Sequence, residues 1–190
     1  DKCLYELADT EALADFHARW RQRVATPAEE LELDCCVAKA AFWRDGDVTP
    51  LDVLAEQAES GAGGRVAAAH AASLLVVSGD IHTALRLASP HADDEPSREH
   101  ALITLALAHG HRASGQPRLA LRALDRARDA FASLGGRIPA MTENVLSGAR
   151  AQALAEAGLF AEHRASVTRS AALAREAVSY THLRAHETAT

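Results

Sequence analysis

Apolar residues recur every three or four positions through most of this chain, which is the spacing of one face of an α-helix. Thr26-Pro27 and Thr49-Pro50 each suit an N-cap followed by the first residue of a helix. Glycine-rich or acidic breaks separate the stripes, and their number predicts about nine helices. The clearest stripes are Leu13, Phe16, Trp20 and Val24; Leu31, Cys35, Ala38 and Phe42; and, in a helix predicted over 117–134, Ala120, Leu124, Ala127, Phe131 and Leu134.

Four glycines lie between consecutive helical patterns and divide the chain into similar units. They are Gly46, Gly79, Gly115 and Gly158, at spacings of 33, 36 and 43 residues. Helix–turn–helix units of about 34 residues are the period of tetratricopeptide repeats. Five positions after the glycine, three units carry a small or apolar residue and the last carries a histidine: Leu51, Ala84, Ala120 and His163.

Two segments carry a family resemblance. "SGDIHTALRLA" (78–88) and "SGQPRLALRALDRA" (114–127) resemble the turn and second helix of tetratricopeptide repeats, in which Ala84 and Ala120 would pack into the hairpin. The position of closest helix crossing, glycine in that family, is occupied here by Lys39, Ala72, Ala108 and Ala151. The resemblance covers about residues 27 to 177. It implies an all-α fold of helix hairpins stacked as a right-handed solenoid.

Alanine- and arginine-rich repeats of this kind are similar to the helical sensor region of large LuxR-type bacterial transcriptional regulators, the group that resembles the maltose activator. In that family a P-loop ATPase domain precedes the repeats and a DNA-binding helix-turn-helix follows them. Because Asp1 is already close to a helical pattern, we expect the sequence to begin inside a longer protein.

Composition agrees with an all-α interaction domain. The chain is 48% hydrophobic but only 4% aromatic, and β-branched residues are sparse. A net charge of −6 and a pI near 5.9 argue against direct nucleic-acid binding. The longest apolar run, Val66 to Val77, is too short to span a membrane. Three cysteines make no disulfide framework, which favours a reducing cytoplasm.

The last thirteen residues differ from everything before them. Val178 to Thr190 has no apolar stripe, and its amino-acid sequence resembles the translation of a transposase sequencing adapter. His182 and His186 have a metal-ligand spacing, but a mononuclear zinc site needs further ligands. We therefore predict a repeat domain over 1–177 and a non-native tail over 178–190, with no metal or other cofactor.

For the other residues that could carry chemistry, a structural role is the favoured interpretation. Adjacent cysteines at Cys35 and Cys36 point about 100° apart on a helix, so they are expected to be buried small hydrophobes. "SGAGGR" (60–65) could offer amides to an anion but lacks the lysine and strand of a P-loop, which favours a linker. His109 and His111 lie on different helical faces. Arg118, Arg122 and Arg126 form a row that could attract an acidic partner, with Asp125 and Asp129 interleaved and expected to pair locally.

By the resemblance, the first helix of each hairpin lines a concave groove that would bind a protein, peptide or small effector. The groove-facing positions are Trp43, Arg44, Ser73, His109, Arg112, Gln152 and Glu156. Exposed tryptophan with arginine is typical of recognition surfaces, although Trp43 could instead fill the adjacent hairpin. The main alternative is a stand-alone tetratricopeptide adaptor. An all-α enzyme is disfavoured because no acid, base and nucleophile converge.

Overall fold

The structure is a computed structural model that describes residues 10–134 and 140–171. These residues form α-helices and one 3-10 turn at Ser89–His91, with no strand in the described ranges, which confirms the all-α prediction there. The helices are α1 (Thr10–Arg21), α2 (Pro27–Asp45), α3 (Thr49–Glu59), α4 (Gly64–Ser78), α5 (Ile81–Ala88), α6 (Arg98–Ala113), α7 (Pro117–Ser133), α8 (Ala140–Glu156) and α9 (160–171).

Local side-chain caps set where several helices begin. At α2, Thr26 Oγ1 accepts a hydrogen bond from the Glu29 amide at 3.3 Å, and Glu29 Oε2 accepts one from the Thr26 amide at 3.1 Å. This reciprocal capping box satisfies two amides that the helix itself cannot pair. At α5, the Asp80 side chain accepts a hydrogen bond from the Thr83 amide at 3.1 Å.

The predicted glycine turns are confirmed. All four glycines adopt left-handed backbone angles, with φ of +67° at Gly46, +96° at Gly79, +71° at Gly115 and +74° at Gly158. Each follows a long helix and precedes a second one, so the turns produce four hairpins: α2–α3, α4–α5, α6–α7 and α8–α9. Glycine suits this conformation because it has no Cβ to clash with the preceding carbonyl.

The chain divides into two compact units between Asp94 and Glu95. In the first unit α1 packs on α2, α3 packs on both α2 and α4, and α4 packs on α5. In the second unit α7 packs on both α6 and α8. The first helices of successive hairpins also touch, α2 with α4 and α6 with α8. Within each unit the hairpins therefore lie side by side, while a right-handed solenoid over residues 1–177 stays a prediction.

Alanine dominates the core, which lets the helices approach closely. The positions five residues after the first three glycines, Leu51, Ala84 and Ala120, are at most 1% exposed. Ala72 and Ala108, at the expected helix crossings, are also buried, while Lys39 in the first hairpin is half-buried. The small-residue pattern therefore marks the hairpin interiors.

Two apolar residues assigned to core stripes are exposed instead. Leu134 is 49% exposed because it lies one residue beyond the end of α7. Trp20, also 49% exposed, lies near the end of α1, which packs mainly on one neighbour, α2. In the described part of the chain, none of the helices has the length and apolarity needed to cross a bilayer.

Candidate functional site

Four of the seven predicted groove residues lie on α6 and α8, the first helices of the two hairpins in the second unit. Arg112 on α6 donates from Nη1 to Glu156 Oε1 on α8 at 2.9 Å. His109 is three residues before Arg112 and Gln152 is four residues before Glu156, so each shares a helical face with its neighbour. We call His109, Arg112, Gln152 and Glu156 the first-helix row. The sequence placed them on one surface but did not reveal the ion pair.

The row combines exposed and half-buried polar groups. Gln152 and Glu156 are exposed, whereas His109 and Arg112 are half-buried. Burial lowers the pKa of His109 below 6.5, and the adjacent positive charge of Arg112 lowers it further. Arg112 Nε is buried and has no hydrogen-bond partner among the described residues. A neutral imidazole and a guanidinium with an unused donor therefore lie on the same face of α6.

The other three predicted groove residues belong to the first unit. Trp43 is 62% exposed and meets Phe42 edge-on at a centroid distance of 5.0 Å. That exposure does not support the alternative in which Trp43 fills the adjacent hairpin. Arg44 Nε donates to Asp45 at 2.7 Å, and this hydrogen bond lowers the pKa of Asp45. Ser73 is half-buried, and its hydroxyl donates to the Ala69 carbonyl at 2.6 Å. A groove that includes all seven residues stays a prediction.

The structural interpretation of the cysteines and the glycine linker holds in the described residues. Cys35 is 1% exposed, and burial raises the pKa of its thiol to about 12, while Cys36 is half-buried. "SGAGGR" connects α3 to α4, and its Arg65 forms an ion pair with Asp94 at 3.8 Å.

Among the histidine and arginine candidates, His111 has a local partner, and one expected ion pair is corrected. His111 Nδ1 lies 3.1 Å from Gln116 Oε1, at the turn into α7. Asp125, expected to pair with the arginines of its own helix, pairs instead with Arg150 on α8. Packing of α7 against α8 brings that guanidinium within reach, which the pattern along one helix does not show.

A polar pocket of about 240 Å³ in the second unit was not anticipated from the sequence. One arginine from each of three helices lines it: Arg128 of α7, Arg150 of α8 and Arg169 of α9. Its other lining residues are Ser147, Leu154, Glu162, Ala165, Ser166 and Ser170. The arginines are separated by about twenty residues in sequence, so only hairpin packing brings them together. We call this cavity the three-arginine pocket.

The first unit contains an apolar pocket of about 220 Å³ between α1 and α2. Phe16, Trp20, Val24, Leu33 and Cys36 form its apolar lining, and Arg23, Glu29 and Glu32 also border it. Three of these residues belong to stripes that the sequence assigned to the core. The sequence predicted the apolar stripe, but it did not show that neighbouring helices leave part of the stripe exposed in a pocket.

Metal ligands do not cluster in the described parts of the chain. No group of three or more His, Cys, Asp or Glu side chains there could hold a metal ion. His182, His186 and the whole predicted tail lie outside the described residues.

No protein-family profile, curated protein sequence or solved structure matches this chain.

Proposed function

We propose that this chain is a binding scaffold of tetratricopeptide-like hairpins and has no catalytic activity of its own. Its hairpins would stack as a right-handed solenoid and form the sensor segment of a LuxR-type cytoplasmic regulator. A protein, peptide or small effector would bind along the first helices. The four glycine turns and the side-by-side packing of hairpins within each unit support the repeat architecture.

The observation that carries the proposal is the first-helix row. Arg112 and Glu156 come from successive first helices and meet at 2.9 Å, with His109 and Gln152 one turn away. The row offers donors, acceptors and no net charge, which suits a polar ligand or peptide backbone better than a polyanion. Within the first unit, Trp43 is 62% exposed on a first helix and offers a separate aromatic contact.

A ligand at this row would compete with a weak internal contact. The Arg112 and Glu156 side chains are 31% and 41% exposed. Ion pairs with that exposure contribute about 0–1 kcal/mol, so a ligand that bonds both groups can replace the pair at small cost. Because the pair connects two hairpins, its replacement would alter their spacing. A ligand that favours one spacing shifts the population of that conformation and can signal to neighbouring domains.

Peptide and metabolite selection tests the proposal. A random peptide library and a panel of sugars, nucleosides and amino acids would be screened against the full chain, with affinities measured by titration calorimetry. We expect a selected ligand to lose about tenfold in affinity with R112A/E156A, because it loses charge-assisted hydrogen bonds. The matched control is R122A/D129A, which removes one charge of each sign from exposed positions on α7.

Two results would contradict the proposal: failure to select any ligand, or equal binding by both double variants. The regulator and the stand-alone adaptor are distinguished separately by the flanking coding sequence. A Walker-type motif upstream together with a helix-turn-helix downstream supports the regulator, and the absence of both supports the adaptor.

A further inference from the structure

The three-arginine pocket differs from the first-helix row and shares no lining residue with it. Its walls carry three guanidinium groups, three serine hydroxyls and one carboxylate, that of Glu162. The formal charge of the lining is therefore positive, although the whole chain carries −6. Two of these arginines pair with carboxylates outside the lining, so the pocket offers a small anion N–H and O–H donors more than a large net positive charge.

Two of the guanidiniums form ion pairs with carboxylates outside the lining. Arg128 Nη2 donates to Glu143 Oε1 at 2.5 Å, and Arg150 Nη1 pairs with Asp125. Ser147 also donates to Glu143, at 3.3 Å. Each of these ion pairs involves one terminal nitrogen, whereas a guanidinium has five N–H donors. Both arginines therefore keep N–H donors for a second acceptor.

The remaining arginine, Arg169, comes from α9 and forms no ion pair with any residue in the described ranges. Ser166 and Ser170 lie three residues before it and one after it on the same helix, and both line the pocket. Arginine with hydroxyl donors is the combination that recognises tetrahedral oxyanions, because the planar fork pairs with two oxygens at once.

We propose that the three-arginine pocket binds a small phosphate dianion, either free phosphate or the phosphate group of a small monoester. The cavity volume is about 240 Å³. That space holds a phosphate with a short organic substituent. A nucleic-acid strand is disfavoured by this size and by the acidic charge of the chain.

Glu162 provides a test in which a substitution is expected to raise the affinity for phosphate. Its carboxylate is the one negative group in the lining and repels a bound dianion. Removing that charge should strengthen binding, whereas removing Arg169 should weaken it. A structural role for either residue would not produce opposite effects on the same ligand.

The experiment is titration calorimetry on the full chain with inorganic phosphate, and then with glycerol 3-phosphate, at constant ionic strength. We expect R169Q to lose about tenfold in affinity through loss of charge-assisted hydrogen bonds. E162Q should gain a few-fold. The controls change the same charges outside the pocket: R164Q on α9 and D129N on α7, both at exposed positions.

The proposal is overturned if wild-type protein binds neither ligand, or if R164Q weakens binding as much as R169Q. It is also overturned if E162Q fails to strengthen binding, a readout that remains if R169Q does not fold. Tighter binding of glycerol 3-phosphate identifies a monoester as the ligand, and equal binding identifies free phosphate.

Discussion

His163 occupies a position that is apolar in the other three hairpins, yet it still connects the two helices of its hairpin. The other three hairpins place Leu51, Ala84 or Ala120 in the interior at this position. A histidine there breaks the apolar pattern, but His163 Nδ1 lies 2.8 Å from the Ala151 carbonyl and donates to it. Ala151 occupies the helix-crossing position of α8. The last hairpin therefore joins its two helices by a hydrogen bond where the others use apolar contact.

The half-buried histidine of the first-helix row makes stability depend on pH. Burial and Arg112 lower the pKa of His109 in the folded state below its ordinary value of 6.5. Below about pH 6.5, His109 is therefore protonated more readily in the unfolded chain than in the folded chain. The free energy of unfolding falls as pH decreases. Burial and Arg21 lower the pKa of His17 as well, so both histidines act in the same direction.

We expect H109Q to reduce the loss of stability between pH 7 and 5 without abolishing it, because His17 remains. Urea denaturation followed by circular dichroism at several pH values measures this slope. The matched control is H82Q, at an exposed residue of α5. Equal slopes for wild type and H109Q would contradict the assignment.

At the scale of the helix, glycine has opposite effects at a turn and inside a helix. Gly79 ends α4 with φ of +96°, and its amide donates to the Leu75 carbonyl at 3.0 Å. Gly148 lies inside α8 at an exposed position, where an added Cβ meets nothing within 4 Å. Substitution by alanine should therefore strain the backbone at Gly79 and stabilise the helix at Gly148.

We expect Gly79→Ala to lower the free energy of unfolding by about 1 kcal/mol, because alanine is strained at positive φ. Gly148→Ala should raise it by about 0.5–1 kcal/mol, because alanine loses less backbone entropy than glycine on entering a helix. Thermal denaturation of the two variants measures both shifts. Shifts of the same sign would contradict the assignment of these positions.

Helix boundaries were the part of the fold most accessible from sequence. Proline at the first position of α2 and α7 and glycine after α2 and α4 act locally, so the sequence alone reveals them. At α3 the boundary differs by one residue, because Thr49, expected as the N-cap, is the first residue of the helix and Pro50 the second. The partner of Arg112 was not accessible in this way. Glu156 is 44 residues away, and its approach depends on how two hairpins pack.

The three-arginine pocket was missed for the same reason. Its arginines come one from each of three helices, and each looks like an ordinary exposed residue in its own amphipathic pattern. The sequence drew attention instead to Arg118, Arg122 and Arg126, because these lie on one helix. Periodicity identifies residues that share a helix face, whereas a pocket collects residues from several helices.

At the scale of the molecule, each compact unit has its own buried centre. Leu51 in the first unit and Ile103 in the second are both 0% exposed. Leu51 lies on α3, which packs on α2 and α4 of the first unit, and Ile103 lies on α6, which packs on α7 and α8 of the second.

We expect Leu51→Ala and Ile103→Ala each to cost about 2–5 kcal/mol of local stability through the cavity left behind. Hydrogen exchange measured by mass spectrometry should show faster exchange mainly over 27–88 for the first variant and mainly over 98–133 for the second. Equally accelerated exchange in both segments with either variant would contradict a division into two units.

The open space at the hairpin turns has a practical consequence. An added Cβ at Gly46, Gly79, Gly115 or Gly158 would meet no atom within 4 Å. An epitope tag or a fluorescent label inserted at these four points would project into solvent and leave the alanine interior undisturbed. A donor dye at one such point and an acceptor at another in the same unit would report hairpin spacing directly, without any knowledge of the natural ligand.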